Sequence, residues 1–149
     1  MTNSFALAAV DEALRDAGIY WDFFSSKDNS LDWLPESRED KERTGVNIGV
    51  LGSNIPGLAA SLVKVGAKGG YENISRLTML HVLNNMPTAN ISIKYNFMGP
   101  SSTSATACST GASSIGDGLR YIQLGEADVM VVGGSEESVN PTIIYASNK

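Results

Sequence analysis

Apolar residues recur along this chain at two spacings, and their alternation sets out an architecture. Over residues 4–17, Phe5, Ala6, Ala9, Val10, Ala13, Leu14 and Ala17 fall three and four apart, with Asp11, Glu12, Arg15 and Asp16 on the other face. That period predicts an amphipathic helix, stopped at Gly18. Residues 21–43 are polar and charged around Trp21, Trp33 and Pro35, and are expected to form a long surface insertion. Residues 44–53 predict a strand that leaves into the loop Asn54-Ile55-Pro56-Gly57. A helical stretch follows over 58–65, broken by the glycines between 66 and 70. Residues 74–94 are mostly helical in pattern, with a kink or a fresh start at Pro87.

A turn is expected over residues 95–99, then a small, β-tolerant run over 101–107. The clearest helix comes next: Ala112, Ile115, Leu119 and Ile122 form one stripe, ended by Gly125. Residues 128–132 are a short apolar run closing on Gly133-Gly134, the pattern of a buried strand. The last residues, 143–149, predict no closing element. Helices and strands alternate, so an α/β fold with a largely parallel sheet is expected.

Composition narrows the classes. The 149 residues are 42% hydrophobic and 18% charged, the balance of one folded domain. No run reaches 18 apolar residues, and residues 1–18 lack the basic and apolar regions of a secretory signal, so neither membrane insertion nor secretion is expected. The net charge of −5, with no lysine or arginine run, argues against nucleic acid as a partner. A single cysteine and a single histidine leave no internal disulfide and no structural zinc site. No metal or other cofactor is expected.

That cysteine, Cys108, is the candidate for chemistry. It sits in Thr106-Ala107-Cys108-Ser109-Thr110-Gly111, among small residues and just before the clearest helix. Unpaired N–H groups at a helix start favour a thiolate and can bind an oxyanion. A strand, a tight turn and a helix is also the layout of a nucleophile elbow. From the residues alone two readings stay open: a catalytic nucleophile, or a small buried hydrophobe. The one candidate base, His81, lies among Leu80, Val82 and Leu83, the setting of a packed helix residue.

Gly99-Pro100-Ser101 leading into Thr106-Ala107-Cys108-Ser109-Thr110-Gly111 resembles the active-site cysteine motif of the elongating β-ketoacyl-acyl-carrier-protein synthases. The resemblance continues through Ile115-Gly116-Asp117 and through the run from Gly125 to Gly133-Gly134-Ser135-Glu136. Upstream, Arg43-Thr44-Gly45-Val46 and Gly52-Ser53-Asn54-Ile55-Pro56-Gly57 are similar to the family's earlier strand and loop. Departures fall at Ser75-Arg76-Leu77-Thr78, Thr88-Ala89-Asn90 and Glu137-Ser138-Val139-Asn140. They bear on acyl preference and dimer contacts more than on the chemistry.

The resemblance implies a thiolase-like fold with αβαβα layers, of which residues 1–149 would form part of the N-terminal half. The C-terminal half, with the family's catalytic histidines and lysine, would lie outside this chain. It implies fatty-acid elongation by decarboxylative condensation, with Cys108 as the nucleophile whose own backbone N–H serves the oxyanion hole. Ile55 would line the acyl pocket. Acyl carrier protein would be the partner, docked by basic residues such as Lys64, Lys68 and Arg76, and the intact enzyme would be a homodimer. The insertion at 21–43 resembles that of fungal mitochondrial members, which points to the mitochondrial matrix. The alternatives are another thiolase-superfamily acyltransferase, such as a polyketide-type synthase or a thiolase, or a non-catalytic fragment with a structural cysteine.

Overall fold

The computed structural model describes residues 2–17, 38–52, 55–68, 72, 78–137, 139 and 141–148. Helix α1 spans Thr2–Asp16, α2 Arg38–Glu42, α3 Ile55–Lys68, α4 Thr78–Val82, α5 Met86–Tyr95, α6 Thr110–Gln123 and α7 Pro141–Ser147. Strands β1 (Thr44–Gly49), β2 (Ser101–Ser102) and β3 (Val129–Gly134) form one parallel sheet in the order β2-β1-β3. Val46 stands opposite Ser101 on one side and opposite Val131 on the other.

Side chains alternate across a strand, so β1 presents two different faces. Val46 and Ile48, with Val50 just beyond, join Ile91, Tyr95 and Phe97 of the α5 region and Ala6, Val10 and Leu14 of α1 in one buried core. Each such aliphatic side chain taken from water contributes about 1.5–3 kcal/mol. Gly45, Asn47 and Gly49 turn the other way, and α6 packs over this face of β1 and β3. The layers therefore run helix, sheet, helix, in line with the α/β class expected. At Gly118 the helix lies so close to the sheet that a Cβ would overlap Val132.

Strand β2 is only two residues long, so the upper half of β1 lacks a ladder partner on that side. Side chains supply the missing bonds. Thr88, buried on α5, accepts from the Ile48 N–H at 3.2 Å and shares a bond with Thr103 Oγ1 at 2.8 Å. The Val50 N–H donates to the Ser104 carbonyl. Buried backbone groups rarely go without such partners.

Several elements differ from the sequence reading. Gly66 lies inside α3 instead of ending it, since one helical glycine costs only about 0.5–1 kcal/mol. The pattern over 74–94 divides into α4 and α5, with the expected fresh start at Pro87, which sits in the first turn of α5 where a missing N–H costs nothing. A short helix, α7, forms near the end where none was expected, opening on Pro141. Strand β3 is half-exposed, not fully buried, because it is the outer strand of the described sheet. Of the insertion at 21–43, residues 21–37 lie outside the described residues, and α2 buries no side chain.

The lower end of the sheet is tied by Arg43. Its guanidinium forks onto both oxygens of Asp128, with Nη2 at 2.6 Å from Oδ1, and Nη2 also reaches the Gly125 carbonyl. The start of β1, the end of α6 and the start of β3 thus meet at one side chain. The Arg43 hydrogen bond, against a smaller opposing effect of burial and together with the guanidinium's charge, holds the Asp128 carboxyl below its ordinary range. A lowered folded pKa stabilises the fold at pH values above the ordinary carboxylate range. That contribution is lost as pH falls through the lowered value. Urea midpoints of wild type and Asp128→Asn should therefore differ at neutral pH and converge on acidification. A gap that stays constant with pH would show that the charge contributes nothing.

Candidate active site around Cys108

The residues between β2 and α6 form a tight, hydroxyl-rich loop with Cys108 near its tip. Ala107–Ser109 make one 3₁₀ turn, and α6 begins at Thr110. Cys108 is exposed and in no disulfide. Helix α6 carries no acidic side chain in its first turn.

Ala107, immediately before the cysteine, has φ +52°. A residue with a Cβ pays about 1–2 kcal/mol for this left-handed conformation. The surroundings hold it there. Thr110 Oγ1 donates to the Ala107 carbonyl at 2.6 Å and accepts the Thr106 N–H at 2.9 Å. The Ser109 hydroxyl donates to the Thr106 carbonyl at 2.8 Å, and Thr106 Oγ1 bonds Ser113 Oγ at 2.7 Å. Deeper down, Asn47 of β1 accepts the Ser104 N–H at 3.3 Å, and the Ser104 hydroxyl donates to Asp117 of α6 at 3.0 Å. Asn47 is almost fully buried, and the chain Asn47–Ser104–Asp117 joins strand, loop and helix.

Cys108 lines a half-open cleft of about 220 Å³. Gly49 and Leu51 form one wall, Ala107, Thr110 and Gly111 another, and Gly134, Ser135 and Glu136 the third. The ends of β1 and β3 and the start of α6 thus converge on one place, the carboxyl edge of parallel strands where α/β folds bind ligands. The Glu136 carboxylate accepts the Leu51 N–H at 3.2 Å and the Glu137 N–H at 2.8 Å. The acid of the cleft is thereby tied to both strand exits.

Other candidates fall elsewhere. Ile55 opens α3, and its side chain lies outside what the structure describes. The same holds for the side chain of His81, whose backbone is in α4. Lys64 is exposed on α3, whereas Arg76 and the Lys68 side chain lie outside the described residues. Among the described residues, no cluster of histidine, cysteine, aspartate or glutamate has the geometry of a metal site. Sequence reading did not find the supporting roles of Thr110, Asn47, Ser104 and Asp117. The signal available was a polar Asn47 between Val46 and Ile48 in an otherwise apolar strand.

An exposed cysteine before a helix, lining a cleft at the carboxyl edge of a parallel sheet, marks the site of this α/β protein. The chain belongs to the β-ketoacyl synthase family, whose N-terminal domain matches residues 2–149. It is 41% identical over 136 residues to the mitochondrial 3-oxoacyl-[acyl-carrier-protein] synthase of Arabidopsis thaliana, covering 91% of this chain and 26% of that protein. It is also 41% identical over 138 residues to 3-oxoacyl-[acyl-carrier-protein] synthase 2 of Rhizobium meliloti, covering 91% and 28%. Among solved structures, a type II polyketide ketosynthase in complex with its acyl-carrier protein matches with TM-score 0.78 and 24% identity, over 96% of this chain and 32% of the other. A β-ketoacyl synthase from Burkholderia phymatum matches with TM-score 0.72 at 20% identity, over 99% and 32%. The thiolase-like ketosynthase fold is therefore that of this chain, which spans about a quarter to a third of the length of these proteins.

Proposed function

We propose that Cys108 is the acyl-accepting nucleophile of a 3-oxoacyl-acyl-carrier-protein synthase. The Cys108 thiol gives up its proton as its sulfur attacks an acyl-carrier thioester, and the carrier sulfur takes up a proton and leaves as its thiol, giving an acyl group on the Cys108 sulfur. Malonyl-carrier then loses CO₂, and its carbanion attacks that acyl carbon. The products are 3-oxoacyl-carrier and the Cys108 thiolate, which regains its proton from water. The Cys108 N–H is one oxyanion donor, and Ile55 contributes to the acyl pocket.

The observation that carries this reading is an exposed Cys108 in the cleft at the start of α6, in a chain 41% identical to proteins named for this reaction. This chain, which spans about a quarter of those relatives, contributes the acyl-accepting thiol. Residues 1–149 supply part of the N-terminal half of that synthase, and the intact enzyme is a homodimer. Acyl carrier protein is the partner, and the mitochondrial matrix is the compartment, as the name of the Arabidopsis relative suggests.

Intact-protein mass spectrometry after incubation with an acyl-carrier thioester tests this. A single acyl adduct is expected, mapping to Cys108 and released by hydroxylamine. An adduct on another residue, or no adduct on a folded protein, overturns the reading.

A further inference from the structure

We propose that Thr110 is a positioning residue for Cys108: its hydroxyl fixes the Ala107–Cys108 peptide and so aims the Cys108 N–H at the reacting carbonyl oxygen. This rests on the acyl-transfer reading of Cys108 given above. Thr110 is buried, two residues beyond the cysteine, and holds both residues that precede it. Its Oγ1 donates to the Ala107 carbonyl at 2.6 Å and accepts the Thr106 N–H at 2.9 Å. Its own N–H reaches the same Ala107 carbonyl. Ala107 is the residue at φ +52°, so the peptide under this grip is one that the backbone alone would not hold.

The consequence for Cys108 follows from amide geometry. A trans peptide sets its C=O and N–H in one plane, pointing in opposite directions. Fixing the Ala107 carbonyl onto Thr110 therefore fixes the Cys108 N–H away from Thr110. An oxyanion donor acts by being in place before charge develops, so a small rotation of this peptide weakens it.

The side chain is held at both ends. Its methyl lies over Gly49 of β1, where a Cβ would overlap Thr110 Cγ2, while its hydroxyl takes the loop. Hydroxyl and methyl can thus be removed separately. Thr110→Val keeps the branched shape and the contact with Gly49, and leaves the Thr106 N–H without its acceptor. Thr110→Ser keeps the hydroxyl and loses the methyl.

In the intact protein, Thr110→Val is expected to slow acylation of Cys108 by about 10- to 100-fold, less than complete loss of an oxyanion donor. Alkylation by iodoacetamide uses the sulfur but forms no oxyanion, and should stay within about twofold of wild type. Thr110→Ser should acylate nearly as wild type does. Val acylation at the wild-type rate overturns the proposal. So does a Ser variant as slow as Val, which would assign the effect to packing. Alkylation falling in parallel with acylation also overturns it, because the sulfur and not the N–H would then have moved. A Val variant that no longer folds by circular dichroism overturns it too, since the hydroxyl would then serve stability. Wild-type protein that takes no acyl group at Cys108 removes the underlying reading first, and this inference with it.

Discussion

In the full-length synthase proposed above, Cys108→Ala should abolish condensation, lowering its rate by about a thousandfold or more, while leaving the fold intact. The expectation is sharp because Cys108 is exposed and Ala is smaller than the residue it replaces. Surface changes of that kind usually shift stability by no more than about 0.5 kcal/mol. Loss of activity with an unchanged urea midpoint therefore isolates the thiol as the acyl carrier. A variant retaining a tenth of the wild-type rate, measured as 3-oxoacyl product from acyl- and malonyl-carrier, would remove Cys108 from the mechanism. The remaining hydroxyl network of the loop would then need another reason for holding Ala107 at positive φ.

The second large effect is expected at Gly49, at the exit of β1. A Cβ there would overlap the Thr110 methyl and come within 2.7 Å of both Ser114 Oγ and the Thr110 carbonyl. The last of these is helix backbone, so relief requires α6 to move. Gly49→Ala should cost about 2–3 kcal/mol, read as a lower urea midpoint at unchanged slope. The same shift displaces the start of α6 and with it Cys108, so acylation should fall beyond what the unfolded fraction explains. Gly66→Ala is the contrasting case. Gly66 is helical with open space around it, and the substitution should stabilise by about 0.5–1 kcal/mol. Equal effects at the two glycines would mean that the close approach of α6 to β1 does not limit the fold.

How much of this was legible in the sequence differs from element to element. Helix α1 was legible because its period of three and four is complete, and Ala6, Val10 and Leu14 are indeed its buried line. The start of α6 was legible because small residues give way to a periodic pattern just after Cys108. The direction that α6 faces was not. Its apolar stripe, Ile115, Leu119 and Ile122, is exposed, and Thr110, Ser114 and Gly118 meet the sheet. Side-chain size explains the reversal. A helix that must lie close to β1 and β3 can present only small groups to them, and periodicity locates a stripe without saying what covers it. The bonds of Thr88, Asn47 and Ser104 were hidden for another reason. They compensate for the shortness of β2, a property of strand pairing that no local spacing encodes.

The two faces of α6 make the helix its own ruler of context. In a saturation scan of the intact protein, intolerance at Ser114 and Gly118 counts contacts with the sheet described above. Intolerance at Ile115, Leu119 and Ile122 counts contacts with whatever lies beyond it. A ranking of substitutions by lost volume would therefore invert along fourteen residues of one helix. The size of that inversion measures how far this helix is covered on the side away from the sheet.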